Sequence, residues 1–460
     1  MTEVVLFTRD LRVHDHPALA SAAAADAVVS LFVLDPHLLG RSPNRDRFLA
    51  ESLADLGRSL NKRGAELTLR RGDVAAETVA VARGAGADVV HVTRDGSAYA
   101  AGREEALREG LADAGIALHM HPGNAVVEPG EVAPEGKPVY SVFTPFYRAW
   151  QHAPRRAVHR APARIIDVRA TDPGARFDAP SSDSIDVPRG GETAGRRAME
   201  AYLSNGVERY ADVRDDMAAD ATSRLSPYLR FGCVSASELA AAAEERPGGE
   251  ALVRQLAWRD FYGSLLAFDP SIAWRNYREP PGDVPEAPEF AAYAFECWTL
   301  GKTGIPLVDA GMRQLRREGW MHNRARMVTA SFLTRRLGIP WQEGAAHFSR
   351  WLVDGDPANN SGGWQWVAGT GTDPRRARSF SPVRQAERFD PQGEYIRRYV
   401  RELADVANPL IFAPWLDPSL LRETGYPPPV IDVPAPNVRV ARAPRRGPST
   451  EEADPQLGLI

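Results

Sequence analysis

The chain has 460 residues, 43% hydrophobic and 25% charged, with a formal net charge of -4. That is the composition of a water-soluble globular protein long enough for two domains, and the charge excludes indiscriminate nucleic-acid binding. With only Cys233 and Cys297 present, a disulfide framework and a four-cysteine iron–sulfur or zinc site built from this chain alone are excluded. No metal is expected. The start, M-T-E-V-V, lacks a basic leader segment, and no apolar run approaches the roughly 20 residues of a membrane span. The expectation is a cytoplasmic monomer with no membrane contact.

The first 125 residues alternate apolar runs with alanine-rich helical stretches. V-V-L-F (4–7), A-V-V-S-L-F-V-L (27–34), L-T-L-R (67–70) and V-V-H-V-T (89–93) predict strands, and 47–63 and 75–83 predict helices. Continuous β-runs between helices indicate a parallel sheet covered on both faces. No G-x-G-x-x-G follows the first run, so the dinucleotide fingerprint is absent. From 128 to about 195 periodicity gives way to Pro, Gly, Ser, Asp and Arg, a long surface connection. Helical spacing then dominates, in 236–245, 252–268, 308–318 and 326–337. After about 428 the tail is Pro-rich and charged, a composition typical of disorder. The fold class is therefore α/β plus all-α: an N-terminal parallel-sheet, Rossmann-like domain (1–127), a linker (128–195), a helical domain (196–428) and a tail (429–460).

Charge is unevenly spread. Residues 301–404 hold 17 Lys and Arg against 10 Asp and Glu, so the remainder is acidic. Such a region is either a phosphate-binding face or a set of solvated helix arginines.

Four phrases carry candidate chemistry. In T-S-R-L-S-P-Y-L (222–229), Thr222, Ser223 and Ser226 precede a helical run and either cap it or, with its free N–H groups, cradle a diphosphate. R-Q-L-A-W-R-D-F-Y (254–262) puts Gln255, Trp258, Arg259 and Tyr262 at i, i+3, i+4 and i+7, one helix face. W-M-H-N-R-A-R-M (320–327) repeats the pattern with Trp320, Asn323, Arg324 and Met327, and Arg326 points elsewhere. An indole, an amide, a guanidinium and a thioether together suit a flat, partly polar ring better than aliphatic core does. In D-G-D-P-A-N-N-S-G-G-W-Q-W (354–366) one carboxylate could pair with a buried arginine such as Arg326, and the other could accept N–H groups of a heterocycle. Asn359 or Asn360 could reach a ring nitrogen. The alternative, a calcium loop, lacks its downstream Glu and contains Pro357.

Together these phrases resemble the photolyase/cryptochrome flavoprotein family. V-V-L-F-T-R-D-L-R-V-H-D-H-P-A-L (4–19), G-K-T-G-I-P-L-V-D-A-G-M-R-Q-L (301–315) and R-Q-A-E-R-F-D-P-Q-G-E-Y-I-R (384–397) extend the resemblance to about Arg401. It implies an α/β antenna-type domain and a helical domain binding folded FAD and UV-damaged DNA. Tyr210 and Thr222, Ser223, Arg224, Leu225 and Ser226 would contact FAD, chiefly its phosphates and ribityl chain. Asp354, Gly355 and Asp356 would line the ring, with Arg326 pairing to Asp354 and Asn360 near N5. Arg214, Gln255, Trp258, Arg259, Tyr262, Asn323, Arg324, Met327, Trp366 and Gln385 would contact the flipped lesion.

The implied reaction is light-driven repair of cyclobutane pyrimidine dimers: excited reduced FAD lends an electron to the lesion and recovers it. The alternatives are a cryptochrome-type photoreceptor and (6-4) photoproduct repair. The family's cyclobutane enzymes usually carry glutamate where this chain has Gln255, as (6-4) enzymes often carry glutamine, but the (6-4) subfamily's second histidine is here Asn323. Trp364 and Trp341 match the inner and middle members of the photoreducing tryptophan relay. The outer position falls near Pro288, which leaves Tyr293, Trp298 or Trp274 as substitutes. A folate antenna's Asn-Glu pair aligns with Gly102-Arg103, so a deazaflavin type, a folate type or no antenna all stay open.

Overall fold

A computed structural model describes residues 1–168, 174–282, 286–287, 289–373 and 379–433. Pro288 and the tail from 434 onward lie outside the described residues. The N-terminal region is a five-stranded sheet in the order β3-β2-β1-β4-β5, with every pairing parallel: β1 Thr2–Phe7, β2 Ala27–Leu34, β3 Leu67–Arg71, β4 Val89–Thr93 and β5 Ala117–His121. Its helices are α1 Pro17–Ala22, α2 Pro43–Asn61, α3 Val74–Gly84 and α4 Ala98–Ala112. Along β1 the apolar run divides by parity: Val4 and Leu6 enter one core, Val5 and Phe7 another. Burial on both faces is why the central strands β1, β2 and β4 read as continuous rather than alternating runs. Reversal of strand order between β1 and β4 opens a crevice at their carboxyl ends, where open α/β sheets receive ligands.

The stretch expected to lack periodicity contains α5, Phe143–His152, whose Phe143, Phe146 and Trp150 are buried. These aromatics fall at i, i+3 and i+7, a helical stripe masked by the surrounding Pro and Gly. Asp260 anchors the helix by accepting Trp150 Nε1 at 2.9 Å together with the amides of Val126 and Val127.

Helices then follow in order: α6 Glu192–Asn205, α7 Tyr210–Val213, α8 Ser226–Arg230, α9 Ala236–Glu244, α10 Gly249–Phe268, α11 Ala291–Leu300, α12 Pro306–Glu318, α13 Asn323–Arg335, α14 Trp341–Trp351, α15 Pro357–Ala368, α16 Pro382–Phe389, α17 Glu394–Tyr399 and α18 Pro418–Thr424. The two halves share one hydrophobic cluster, with Phe7 and Phe32 in the same core as Leu252, Leu256 and Phe261. Asp15 latches them. It holds Arg156 of the linker at 2.5 and 2.6 Å and accepts the hydroxyl of Ser235 before α9. Gly232 (φ +64°) seals the contact, since a Cβ there would fall 1.9 Å from the Arg9 carbonyl oxygen.

Candidate active site

The D-G-D-P phrase turns the chain from α14 into α15. Asp356 is the N-cap, its Oδ1 accepting the Asn359 amide at 3.0 Å, and Pro357 supplies the fixed φ of a first helical residue. Between this turn, α13 and α15 lies a cleft of about 510 Å³, counted with space open to solvent. Its lining includes Arg326, Met327, Asp354, Gly355, Asp356, Asn359, Asn360, Trp364 and Trp366.

Arg326 Nη2 lies 2.7 Å from Asp354 Oδ2, and both side chains are nearly buried, at 8% and 1% exposure. Nε of the same guanidinium donates to the Met321 carbonyl at 2.8 Å, fixing its orientation. The other carboxylate oxygen, Asp354 Oδ1, is buried without a hydrogen-bond partner, as is Asn359 Oδ1. Two orphaned acceptors in one cleft are ready partners for a donor-bearing ligand, because a buried unpaired polar atom costs roughly 1–3 kcal/mol. Asp356 faces the other way as well, pairing with Arg9 of the β1 loop at 2.7 Å. Burial alone would raise its pKa, but Arg9 and Arg230 hold it well below the usual carboxylate range. Asn360 donates Nδ2 to the Ala345 carbonyl at 3.0 Å. Trp364 packs edge-on to Phe348 (centroids 5.0 Å) and Trp298 (6.1 Å), with Gly344 beneath it.

Several expectations change. Trp320 does not share the Asn323 helix face, because α13 begins at Asn323 behind His322. Burial lowers His322 to about 4, so its neutral Nδ1 can accept the Arg324 amide at 3.1 Å and cap the helix. Trp320 instead donates to Ser226 Oγ at 3.1 Å beneath the Arg224 guanidinium. Arg326, read as pointing elsewhere, shares the cleft with Met327, because neighbouring residues flank one groove when two helices close over it. Arg259 faces away from the cleft. It donates to the Asn124 carbonyl at 2.6 Å and lines a separate cavity with Arg9, Asp95 and Ser97.

Trp258 is not among the residues that line the cleft. Phe143 of α5 covers its face (centroids 3.6 Å, 6° between planes), leaving an edge with an unpartnered Nε1. Tyr262 packs into Gly362, where a Cβ would meet its ring at 2.2 Å. Gln255 is 1% exposed, with Oε1 unpartnered. Asn323 touches Met327 Sδ at 3.9 Å, and Arg324 pairs with Asp215 over Phe389. Arg214 is half-buried with Nε unpartnered, as is Gln385 Oε1, and Tyr210 is buried against Tyr202.

The 222–226 segment is not an ordinary cap. Leu225 precedes the short α8 with no side-chain cap, Thr222 Oγ1 is buried and unpartnered, and Arg224 adopts φ +50°. Arg224 is engaged by Asp220 and Glu318. Of the tryptophans expected to form a relay, Trp341 is buried and donates to Asn276 Oδ1 at 2.7 Å. Trp298 is fully buried against Trp364, which disqualifies it as a solvent-facing outer member, whereas Trp274 and Tyr293 are exposed. Sequence reasoning missed Arg9 and Arg230, the latter donating to the Gly355 carbonyl at 3.1 Å. Arg9's place directly after the first strand of a parallel sheet is the signal that could have found it.

Residues 3–164 match the family model for DNA photolyase, and 252–445 match that for the FAD binding domain of DNA photolyase. The chain belongs to the DNA photolyase family. A deoxyribodipyrimidine photo-lyase of Streptomyces griseus is 49% identical, covering 96% of this chain and 98% of the relative. One from Halobacterium salinarum is 37% identical over 92% and 95%. The photolyase fold is equally plain in solved structures. A bacterial class III photolyase from Agrobacterium tumefaciens superposes with a TM-score of 0.87 at 31% identity, covering 94% of each chain. An archaeal photolyase from Sulfolobus tokodaii, described with two FAD molecules, gives 0.82 at 30%, covering 94% of this chain and 96% of that one. The photolyase FAD-binding domain is thus present, and the orphaned acceptors Asp354 Oδ1 and Asn359 Oδ1 fit the polar edge of a flavin ring. Among the described residues no helix is long and apolar enough to cross a membrane.

Proposed function

We propose that this chain is a deoxyribodipyrimidine photolyase that repairs cyclobutane pyrimidine dimers in DNA under light, as a cytoplasmic monomer. The observation that carries the reading is the buried Arg326–Asp354 pair with its second carboxylate oxygen free in the cleft. FAD, when bound, supplies light-driven donation of one electron to the dimer and its recovery once the ring has split. Asp354 accepts from the ring's N–H edge while Arg326 fixes the carboxylate. Asn360, oriented by the Ala345 carbonyl, sits where an amide can tune the ring's protonation. Thr222 to Ser226, with Tyr210, hold the phosphate and ribityl portion, Thr222 Oγ1 being an unused buried donor.

On the lesion side, Trp366 and Met327 form the apolar wall, and the buried Trp258, with its unpartnered Nε1, would have to turn toward them to join it. Gln255 Oε1 accepts from a thymine imide N–H, a contact the apolar interior makes selective. Arg214, Arg324, Asn323 and Gln385 hold the flanking backbone. A dimer stacked inside a duplex cannot reach such a cleft, so it must be flipped out, at a cost in unstacking that a distorted lesion keeps small. Trp364 and Trp341 carry electrons inward, and Trp274, whose carbonyl accepts from Gln342 beside Trp341, forms the surface end. A second chromophore, deazaflavin or folate in type, would use the crevice after β1 and β4 lined by Arg9, Asp95 and Ser97.

The test is illumination of chemically reduced protein with oligonucleotides carrying either a cyclobutane dimer or a (6-4) product. Restored thymines are expected from the first substrate, in light only. Restoration of the (6-4) product alone reverses the substrate assignment. Stable flavin with no repair of either favours a photoreceptor.

A further inference from the structure

Nothing in the residue pattern raised the expectation of a metal, yet the β4–β5 edge of the α/β sheet, on the face that carries Val5, gathers one carboxylate and three imidazoles. We propose that Glu3, His91, His119 and His121 form a binding site for a divalent, nitrogen-seeking metal ion of the Zn2+ class at the β4–β5 edge of the sheet.

The register brings them together. Parallel pairing sets His91 of β4 beside His119 of edge strand β5, and His121 follows two residues on, on the same face as His119. Glu3 of β1 lies two positions before Val5, the partner of His91, so it shares that face too. His91 is 2% exposed. Its Nε2 is 2.7 Å from Glu3 Oε2, and its Nδ1 is 2.8 Å from His121 Nε2. The carboxylate can only accept, so the Nε2 proton belongs to His91 and Nδ1 presents a lone pair. A carboxylate on one ring nitrogen and a free lone pair on the other is how a metal-ligating histidine is held. The His119 ring stands 5.2 Å from that of His91, at 82°.

Two histidines at i and i+2 on one strand and a third on its neighbour constitute a three-nitrogen donor set, the number a four-coordinate zinc site uses when water takes the remaining position. As the side chains stand, no group of three or more His, Cys, Asp or Glu among the described residues could hold a metal ion, so these four must move to do so. The obstacle is the His121 N–H directed at His91 Nδ1. Moving that proton to His121 Nδ1 changes only the tautomer and releases no proton. Zn–N bonds of about 2.0–2.1 Å in tetrahedral array need nitrogens about 3.3 Å apart, so the two rings separate by roughly 0.5 Å. His119 is exposed on an edge strand and closes the set by a rotamer change.

Mutual satisfaction of Glu3, His91 and His121 accounts for the buried ring, but it leaves His119 without a role. Burial also keeps His91 below the ordinary imidazole range. Burial, with His91 and His119 adjacent, likewise lowers His121. His16 and Arg94 add positive potential at His121, and the Glu3 carboxylate faces His91. None of the four residues lines the flavin cleft. A bound ion would clamp β5, which has only β4 as a partner, to the rest of the sheet.

The experiment uses the untagged, FAD-loaded full chain, equilibrated with ZnCl2 or CoCl2, gel-filtered and assayed for metal content. One ion per chain is expected, with cobalt giving four-coordinate visible bands to the red of flavin absorption. His119→Ala should weaken binding tenfold or more and Glu3→Gln about 10–100-fold. Because His119 is exposed, His119→Ala should keep its flavin content, repair rate and metal-free melting midpoint. Emergence of the unsubstituted chain without metal, or retention by His119→Ala and His121→Ala as full as that of the unsubstituted chain, overturns the proposal.

Discussion

Replacing Asp354 by asparagine changes one charge and almost no volume, so it isolates what the Arg326 pair contributes. The pair is 2.7 Å apart with side-chain exposures of 8% and 1%, so the remaining guanidinium stays buried without a counter-ion. Breaking one side of a buried pair costs about 3–5 kcal/mol. For a helical region of this size, at about 2–4 °C per kcal/mol, the melting midpoint of FAD-free protein should fall by about 6–20 °C. Arg326→Leu should cost at least as much, since it also strips the Met321 carbonyl of its donor. Combining Arg326→Leu with Asp354→Leu removes both desolvation penalties and should recover about 2 kcal/mol or more relative to the sum of the single changes. Midpoints measured at one scan rate, with and without FAD, test this, and FAD should raise the midpoint less for Asp354→Asn than for the unsubstituted chain. Single changes costing under about 1 kcal/mol, or simple additivity in the double, would refute the view that this pair organises the cleft.

Asp15 is pulled to about 2 against its burial by Arg156 and Ser235, below its ordinary value of 3.8. Its contribution, on the order of 2 kcal/mol, is therefore fully present above about pH 4 and lost as pH falls toward 2. Asp15→Asn should flatten this acid limb in a stability-versus-pH series, in which Asp10, also near 2, supplies a second component. Gly344→Ala places a Cβ 2.1 Å from Trp364 Cη2, so about 1–3 kcal/mol of overpacking should appear as a lower melting midpoint together with slower photoreduction. Trp341→Phe should impair photoreduction and leave repair by chemically reduced protein intact; equal loss of both would reject the relay. Trp366→Ala should weaken binding of dimer-containing DNA by about 1–3 kcal/mol in a titration, with undamaged DNA unaffected.

The parallel sheet was legible because strands buried on both faces leave unbroken apolar runs, as β1, β2 and β4 do. β5 was not. A-L-H-M-H alternates, because an edge strand buries one face only, and its histidines read as polar interruptions. α5 was hidden by Pro and Gly on both sides, although its aromatics keep helical spacing. In the cleft, the Arg326–Asp354 pair was legible because a buried arginine requires an acid, and the D-G-D turn offered one. Helix-face arithmetic failed at both ends. Trp320 lies one turn outside its helix because His322 caps there, and Arg259 turns toward a carbonyl of the α/β half that no local pattern could reveal.

That α/β half has a part in the candidate cleft even if no antenna binds to it. Arg9, at the end of β1, donates Nη1 to Asp95 after β4 and Nη2 to Asp356 at 2.7 Å. One guanidinium therefore ties the crevice at the sheet's switch point to the turn that presents Asp354. Its Nε contacts the Arg230 carbonyl, and Arg230 in turn holds the carbonyl of Gly355. Every residue of the D-G-D turn is thus fixed by an arginine: Asp354 by Arg326 from within the helical half, Gly355 by Arg230, and Asp356 by Arg9 from across the interface. Carboxylates held this way cannot swing, which is the condition for presenting a fixed acceptor to a ring whose protonation matters. It follows that the two halves fold as one functional unit, and that the latch at Asp15 protects the geometry of a cleft whose lining it never touches.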